Sequence, residues 1–116
     1  MVSMKAHIEL DTKDINFGFE LFESKSLKKG ETKKLISDNV ILTCDGVLLR
    51  MGAEAPQTIF IIAEILKDIG IALFSAWLYD KLKEKKDVKL RINKKEVRIK
   101  KEDIEIVLKE IERTNS

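Results

Sequence analysis

The sequence predicts an α+β protein in which antiparallel hairpins pack on one long central apolar helix, in the order β-β-(α)-β-β-α-β-β-α. Three observations lead there. The run from Gln57 to Lys86 is apolar over most of its length and has no Pro or Asn inside it. Runs that alternate apolar and polar residues flank it on both sides, the pattern of half-buried strands. No repeated strand–helix–strand spacing appears that would build a parallel sheet.

The chain has 116 residues, a length that fits one domain. It divides into a strand-rich half over 1–52, the central helix over 57–86, a basic hairpin over 88–100 and an amphipathic helix over 102–113. In the first half, Met4, Ala6, Ile8 and Leu10 alternate with Lys5, His7 and Glu9, a first strand. Ile15, Phe17, Phe19 and Leu21 alternate again, and the two strands pair as a hairpin across Thr12 and Lys13. Residues 31–37 form one or two turns of helix. Val40–Cys44 and Val47–Met51 flank Asp45-Gly46, whose tolerance of positive φ predicts a second hairpin with Leu42 facing Leu49 and Val40 facing Met51.

The central run is expected to start in the turn after Pro56, where a missing N–H costs nothing. It ends among Lys81, Lys83, Lys85 and Lys86, which suit the C-terminal end of the helix dipole. Such a helix reaches roughly 40 Å and crosses the whole domain. Wound at about 100° per residue, it is apolar almost all round. Glu64, Lys67, Asp68 and Ser75 share a narrow sector with Phe60, Ile71, Leu78 and Leu82, and these four apolar residues are the candidate homo-oligomer interface. Trp77, on the other side, is expected to be buried against the C-terminal hairpin, so that Trp77→Ala costs about 3–5 kcal/mol.

In that hairpin Val88, Leu90 and Ile92 match Val97 and Ile99 across a turn at Asn93–Glu96, and Lys89, Arg91, Arg98 and Lys100 take the opposite face. The last helix follows from Ile104, Val107, Leu108 and Ile111 at i, i+3, i+4 and i+7.

Composition narrows the function classes. One Cys allows no internal disulfide and no multi-cysteine metal cluster. With no signal-peptide core near the start, the expected compartment is the cytoplasm. Many Lys and Glu beside a single Gln is a balance that heat-adapted proteins share. Glu64, Lys67 and Asp68 make insertion of the central run across a membrane unfavourable. His7 and Cys44 are the only residues of their kinds, and neither has companions at metal-ligand or nucleophile–base spacing. No glycine-rich phosphate loop is present. The sequence therefore implies no catalytic residues, no metal and no cofactor. Glu64 and Asp68 are the carboxylates to watch, because burial of both would perturb them.

One electrostatic feature stands out. Residues 81–101 hold eleven Lys or Arg against three acidic residues, a balance of +8 that leaves −6 for the rest of a chain with net charge +2. Lys89, Arg91, Lys94, Lys95, Arg98 and Lys100 are the candidate anion or nucleic-acid contacts. No aromatic residue lies among them, so no base-stacking platform is available. The plain reading is a solvated outer face that guards a sheet edge.

The apolar helix ending in Ala76-Trp77-Leu78-Tyr79, followed by a short hairpin and an amphipathic helix, resembles small effector-associated domains of prokaryotic conflict and defence systems. The resemblance covers the order of elements over Ile59–Ile111 and carries no individual functional residue across. It implies an adaptor or recruitment module without catalysis. The expected function is thus a noncatalytic protein-interaction or oligomerisation module, with nonspecific binding to nucleic-acid backbones through Lys81–Lys101 as the alternative. The expected partners are copies of the same chain or another protein.

Overall fold

The computed structural model describes residues 3–52 and 55–114. In chain order its elements are β1 (Ser3–Thr12), α1 (Phe17–Phe22), β2 (Lys33–Ser37), β3 (Val40–Leu48), β4 (Gln57–Leu66), α2 (Lys67–Leu82), β5 (Lys89–Ile92), β6 (Lys95–Val97) and α3 (Lys101–Thr114). The strands form one six-stranded sheet in the order β2-β3-β4-β1-β5-β6, and every pairing is antiparallel. Helix α2 lies over β2, β3 and β4, and α3 lies over β1 and β6 and against α2. Both pack on the face that buries Ala6, Ile8, Leu10, Leu42, Ile59, Ile61, Ala63, Ile65, Leu90 and Ile92. The class is α+β as predicted, but the single long helix and the order of elements are not.

The largest correction lies in the run 57–86. Its first ten residues are a central strand and its last four lie beyond the helix. Thr58, Ile59, Ile61, Ile62 and Ile65 are β-branched, and such side chains lose rotamer freedom in a helix and pack well on a pleated surface. Ile59, Ile61, Ala63 and Ile65 point into the core, whereas Phe60, Ile62 and Glu64 are half-buried on the opposite face. Because the second face also carries Phe60 and Ile62, the alternation that marks a strand is masked.

Strand β4 passes into α2 with no loop between them. Leu66 is still extended (φ −98°, ψ 115°), and its N–H donates to the Asn39 carbonyl at 2.8 Å. Gly70 sits in the first turn of α2, where a Cβ would lie 2.7 Å from Ile65 Cγ2 and 2.9 Å from the Asn39 carbonyl oxygen. The abrupt change of direction thus presses the helix start onto the β2–β3 turn, and glycine leaves room for that backbone.

The N-terminal half differs from expectation at three places. Residues 15–21 do not form a strand. Phe17, Leu21 and Phe22 are buried from one short helical turn, while Ile15 and Phe19 are exposed. The chain turns into α1 through local bonds, the Asp14 N–H to Thr12 Oγ1 at 3.1 Å and the Asn16 N–H to Asp14 Oδ1 at 3.0 Å. These Asx- and ST-type turns compete with a strand. Residues 33–37 are the edge strand β2 and not a helix. Asp45-Gly46 is not a hairpin turn either, because β3 runs straight through it with a bulge between Cys44 and Gly46. Gly46 has φ 119°, a conformation that a bulge needs as much as a turn does. Val40 and Leu42 pair with Ile65 and Ala63 on β4, so Met51 and Leu49 are left outside the sheet.

The C-terminal part has the predicted hairpin and helix, but β6 covers Lys95–Val97, so Lys95 and Glu96 belong to the strand and not to the turn, and Arg98, Ile99 and Lys100 lie beyond it. Leu90 pairs with Val97, and the connection is a two-residue turn, Asn93-Lys94, with φ of 50° and 69°. Asn93 also ties the hairpin to β1: its side-chain oxygen accepts from the His7 N–H and its own N–H donates to the His7 carbonyl, both at 2.8 Å. In α3, Ile104, Leu108 and Ile111 are buried.

Candidate interaction surfaces

The candidate groups for chemistry do not converge. His7 is exposed on the outer face of β1, and Cys44 is fully buried on the inner face of β3. Glu64 is on the outer face of β4, 3.9 Å from Lys5 Nζ. The side chains of Lys67 and Asp68, and with them the expected Glu64–Asp68 pair, lie outside the described residues. Among the described residues no three His, Cys, Asp or Glu side chains are grouped to hold a metal ion. No helix of the described residues is long and apolar enough to cross a membrane.

The best-ordered polar cluster crosses the outer face of the sheet. Arg91 grips Asp11 with two bonds of 2.9 Å and reaches Glu9 at 3.4 Å. The Thr58 hydroxyl donates to Asp11 at 2.7 Å, and Arg50 donates to Thr58 at 2.7 Å and to the Pro56 carbonyl at 3.2 Å. Burial raises the Asp11 carboxyl, but the Arg91 fork, the Thr58 hydroxyl and the nearby Arg50 charge together hold it below its ordinary value. This is a fixed ion pair that locks β1, β4 and β5 together.

The basic segment is divided among surfaces. Lys89 and Arg91 lie on the outer sheet face, and Arg91 is taken up by Asp11 and Glu9. Lys95 reaches the other way to Glu110 on α3 at 3.9 Å, and Arg98 bonds Asp103 at 3.0 Å. Lys94 and Lys100 are exposed with no ion pair among the described residues. Lys85 turns inward, 3.4 Å from Asp14, 3.2 Å from Glu20 and 5.0 Å above the Phe17 ring. The ribbon is therefore not one continuous cationic face.

The four residues assigned to an oligomer interface also separate. Ile71, Leu78 and Leu82 are wholly inside, on the face of α2 that meets the sheet. Of the polar residues that share their sector in the winding from residue 57, Glu64 belongs to a strand and Ser75 is itself buried with them. Phe60 is half-buried on the outer face of the sheet.

Two other apolar surfaces take their place. The first is the water-facing side of α2. Ile69 is 65% exposed and Leu73 40%, and Ala72 and Ala76 are exposed beside them. Trp77 flanks this strip, half-buried and stacked on Phe74 with ring centroids 6.1 Å apart. Ser75, on the inner side, is fully buried, and its hydroxyl has no hydrogen-bond partner among the described residues. The second surface is the half of the outer sheet face built by β2, β3 and β4, with Leu35, Ile41, Leu48, Phe60 and Ile62. The sequence reading of an apolar helix circumference raised an association surface on α2 but placed it on Ile71, Leu78 and Leu82, and put Leu73 on the side expected to be buried with Trp77, whereas Ile69 and Leu73 are the exposed pair. Nothing in the sequence pointed to the second once residues 57–66 were wound as a helix.

No family model matches the chain, and no curated protein or solved structure matches it.

Proposed function

We propose that this chain is a noncatalytic protein-interaction module and that the water-facing strip of α2 is the surface it offers to an apolar helix of another protein molecule. The observation that carries the reading is the strip itself, Ile69, Ala72, Leu73 and Ala76 in water. A helix on the surface of a globule ordinarily puts charge in that sector. The two alanines let a second helix come close, and Ile69 and Leu73 supply the apolar area. The alternative, nucleic-acid binding through residues 81–101, gains little from the geometry, since Arg91, Lys95 and Arg98 are already engaged with carboxylates.

The test is Ile69→Lys combined with Leu73→Glu, read by light scattering over a range of concentrations beside denaturant unfolding. Both side chains are largely in water, so the unfolding free energy should move by less than about 1 kcal/mol. The average mass of the wild-type chain should rise with concentration, and the variant should lose that part of the rise which α2 causes. Equal mass for both proteins at every concentration would remove α2 as the association surface.

A further inference from the structure

The outer face of the sheet has a register that makes it complementary to itself. Reading across β3, β4 and β1, and on to β5 where it pairs, the face carries four successive rows. They are Ile41, Glu64, Lys5; then Thr43, Ile62, His7; then Gly46, Phe60, Glu9, Arg91; then Leu48, Thr58, Asp11, Lys89. One end of β1 thus presents Lys5 and His7, with Lys5 beside Glu64, and the other end presents Glu9 and Asp11, which Arg91 already bonds within the chain.

We infer that a second copy of this chain covers this face, turned about a two-fold axis that lies between the two sheets, perpendicular to the strands and midway between the Ile62 and Phe60 rows. That rotation lays Ile62 on the partner's Phe60 and Ile41 on the partner's Leu48. It sets His7 against the partner's Glu9 and Lys5 against the partner's Asp11, and Glu64 meets the partner's Thr58. Each of these contacts occurs twice, and none of them opposes like charges. The other way of stacking the sheets fails on the same rows. An axis along β4 sets Glu64 against itself, and an axis between β4 and β1 lays Phe60 on the partner's Glu9.

The size of the face fits as well. The six strands hold 41 residues, which at about 3.3 Å along and 4.8 Å across each strand cover roughly 650 Å². That is close to the ~800 Å² per partner of a standard stable interface. Strands run nearly parallel or antiparallel across such a junction, which is the aligned class of sheet-on-sheet packing. The dimer has four layers, helices outside and sheets inside, and it leaves both α2 strips free on opposite outer surfaces. One assembly then offers two equivalent helix-docking surfaces, which goes beyond the single surface proposed above.

Sedimentation equilibrium of the Ile69→Lys/Leu73→Glu variant tests this with the α2 strip disabled. The variant should sediment as a dimer at about 50 µM. Phe60→Glu on that background should return it to a monomer with the fold intact by circular dichroism. His7→Glu, which faces the partner's Glu9, should raise the dimer dissociation constant about tenfold, and His7→Lys should lower it. A Phe60→Glu chain that fails to fold leaves the opposite-signed His7 pair as the deciding measurement. A monomeric Ile69→Lys/Leu73→Glu variant overturns the inference and leaves the α2 reading standing. A dimer indifferent to both His7 substitutions overturns it too, placing the contact elsewhere. A dimer sensitive to them upholds it even if the α2 strip proves inert.

Discussion

Helices α2 and α3 lie side by side on one face of one sheet, yet they treat water in opposite ways. In α3 the inner side is Ile104, Leu108 and Ile111, and the outer side carries Glu102, Lys109, Glu110 and Arg113 beside a single exposed Ile106. In α2 the inner side is Ile71, Phe74, Leu78 and Leu82, but the outer side is Ile69, Ala72, Leu73 and Ala76, and the polar Ser75 is buried. The apolar stripe needed to hold a helix on a sheet covers a third or so of its circumference. Helix α3 stops there. Between Ile69 and Ala76 helix α2 is apolar on both sides, with charge returning to the outer sector at the exposed Asp80, so this stretch of its surface answers to something other than the fold.

Four substitutions, in three steps of size, break or sharpen this contrast. The largest effect is expected inside, where the helices should behave alike: Leu78→Ala and Leu108→Ala should each cost about 2–5 kcal/mol in denaturant unfolding. If Leu78→Ala costs under about 1 kcal/mol, α2 is not anchored as described. The second effect is peculiar to α2. Alanine in place of glycine normally favours a helix, but at Gly70 the added Cβ meets the Asn39 carbonyl oxygen at 2.9 Å. Gly70→Ala should therefore destabilise by about 1–3 kcal/mol, and a gain in the unfolding midpoint would show that the β2–β3 turn yields easily. The smallest is Ser75→Ala. Removing a buried hydroxyl that has no partner among the described residues should stabilise by about 1 kcal/mol, and a loss instead would mean that Ser75 makes a bond in solution.

What was legible in the sequence follows the same contrast. Helix α3 and the β5–β6 hairpin obey local rules: a 3.6-residue period, and a two-residue turn flanked by Ile92 and Lys95. Both were found, the helix with boundaries nearly right and the hairpin with its turn two residues too long, so that Lys95 and Glu96 were left out of β6 and Ile99 was put into it. Residues 57–66 were not, because period gives way to composition when both faces of a strand are apolar, and the β-branched density of Thr58 to Ile65 was the signal to weigh. Asp45-Gly46 shows a different limit, since the same backbone freedom serves a turn or a bulge and partner strands decide which. Trp77 stands at the margin of the core, so the cost of Trp77→Ala falls to roughly half the value expected for a buried ring. Among the candidate site residues, the basic charges of 81–101 could be read, but their partners Glu9, Asp11 and Glu110 come from distant parts of the chain. Pairing of that kind is set by topology, which the sequence pattern left open.

The place of β1 at the middle of the sheet has a consequence for how the chain is made. It is the first strand of these to leave the ribosome, and its neighbours are β4 and β5, so that Ser3 waits for Leu66 and Leu10 waits for Leu90. At about 5–20 residues per second, the segment with Met4, Ala6, Ile8 and Leu10 spends roughly 3–12 seconds without its native neighbour. Meanwhile β2 and β3 can close on each other but have nothing to hold. The central pairings join residues far apart in sequence, which makes assembly slow and nearly all-or-none. During translation the nascent chain therefore carries an unprotected apolar strand, and a chaperone that holds Ser3–Thr12 would act at the step where this protein is most open to aggregation.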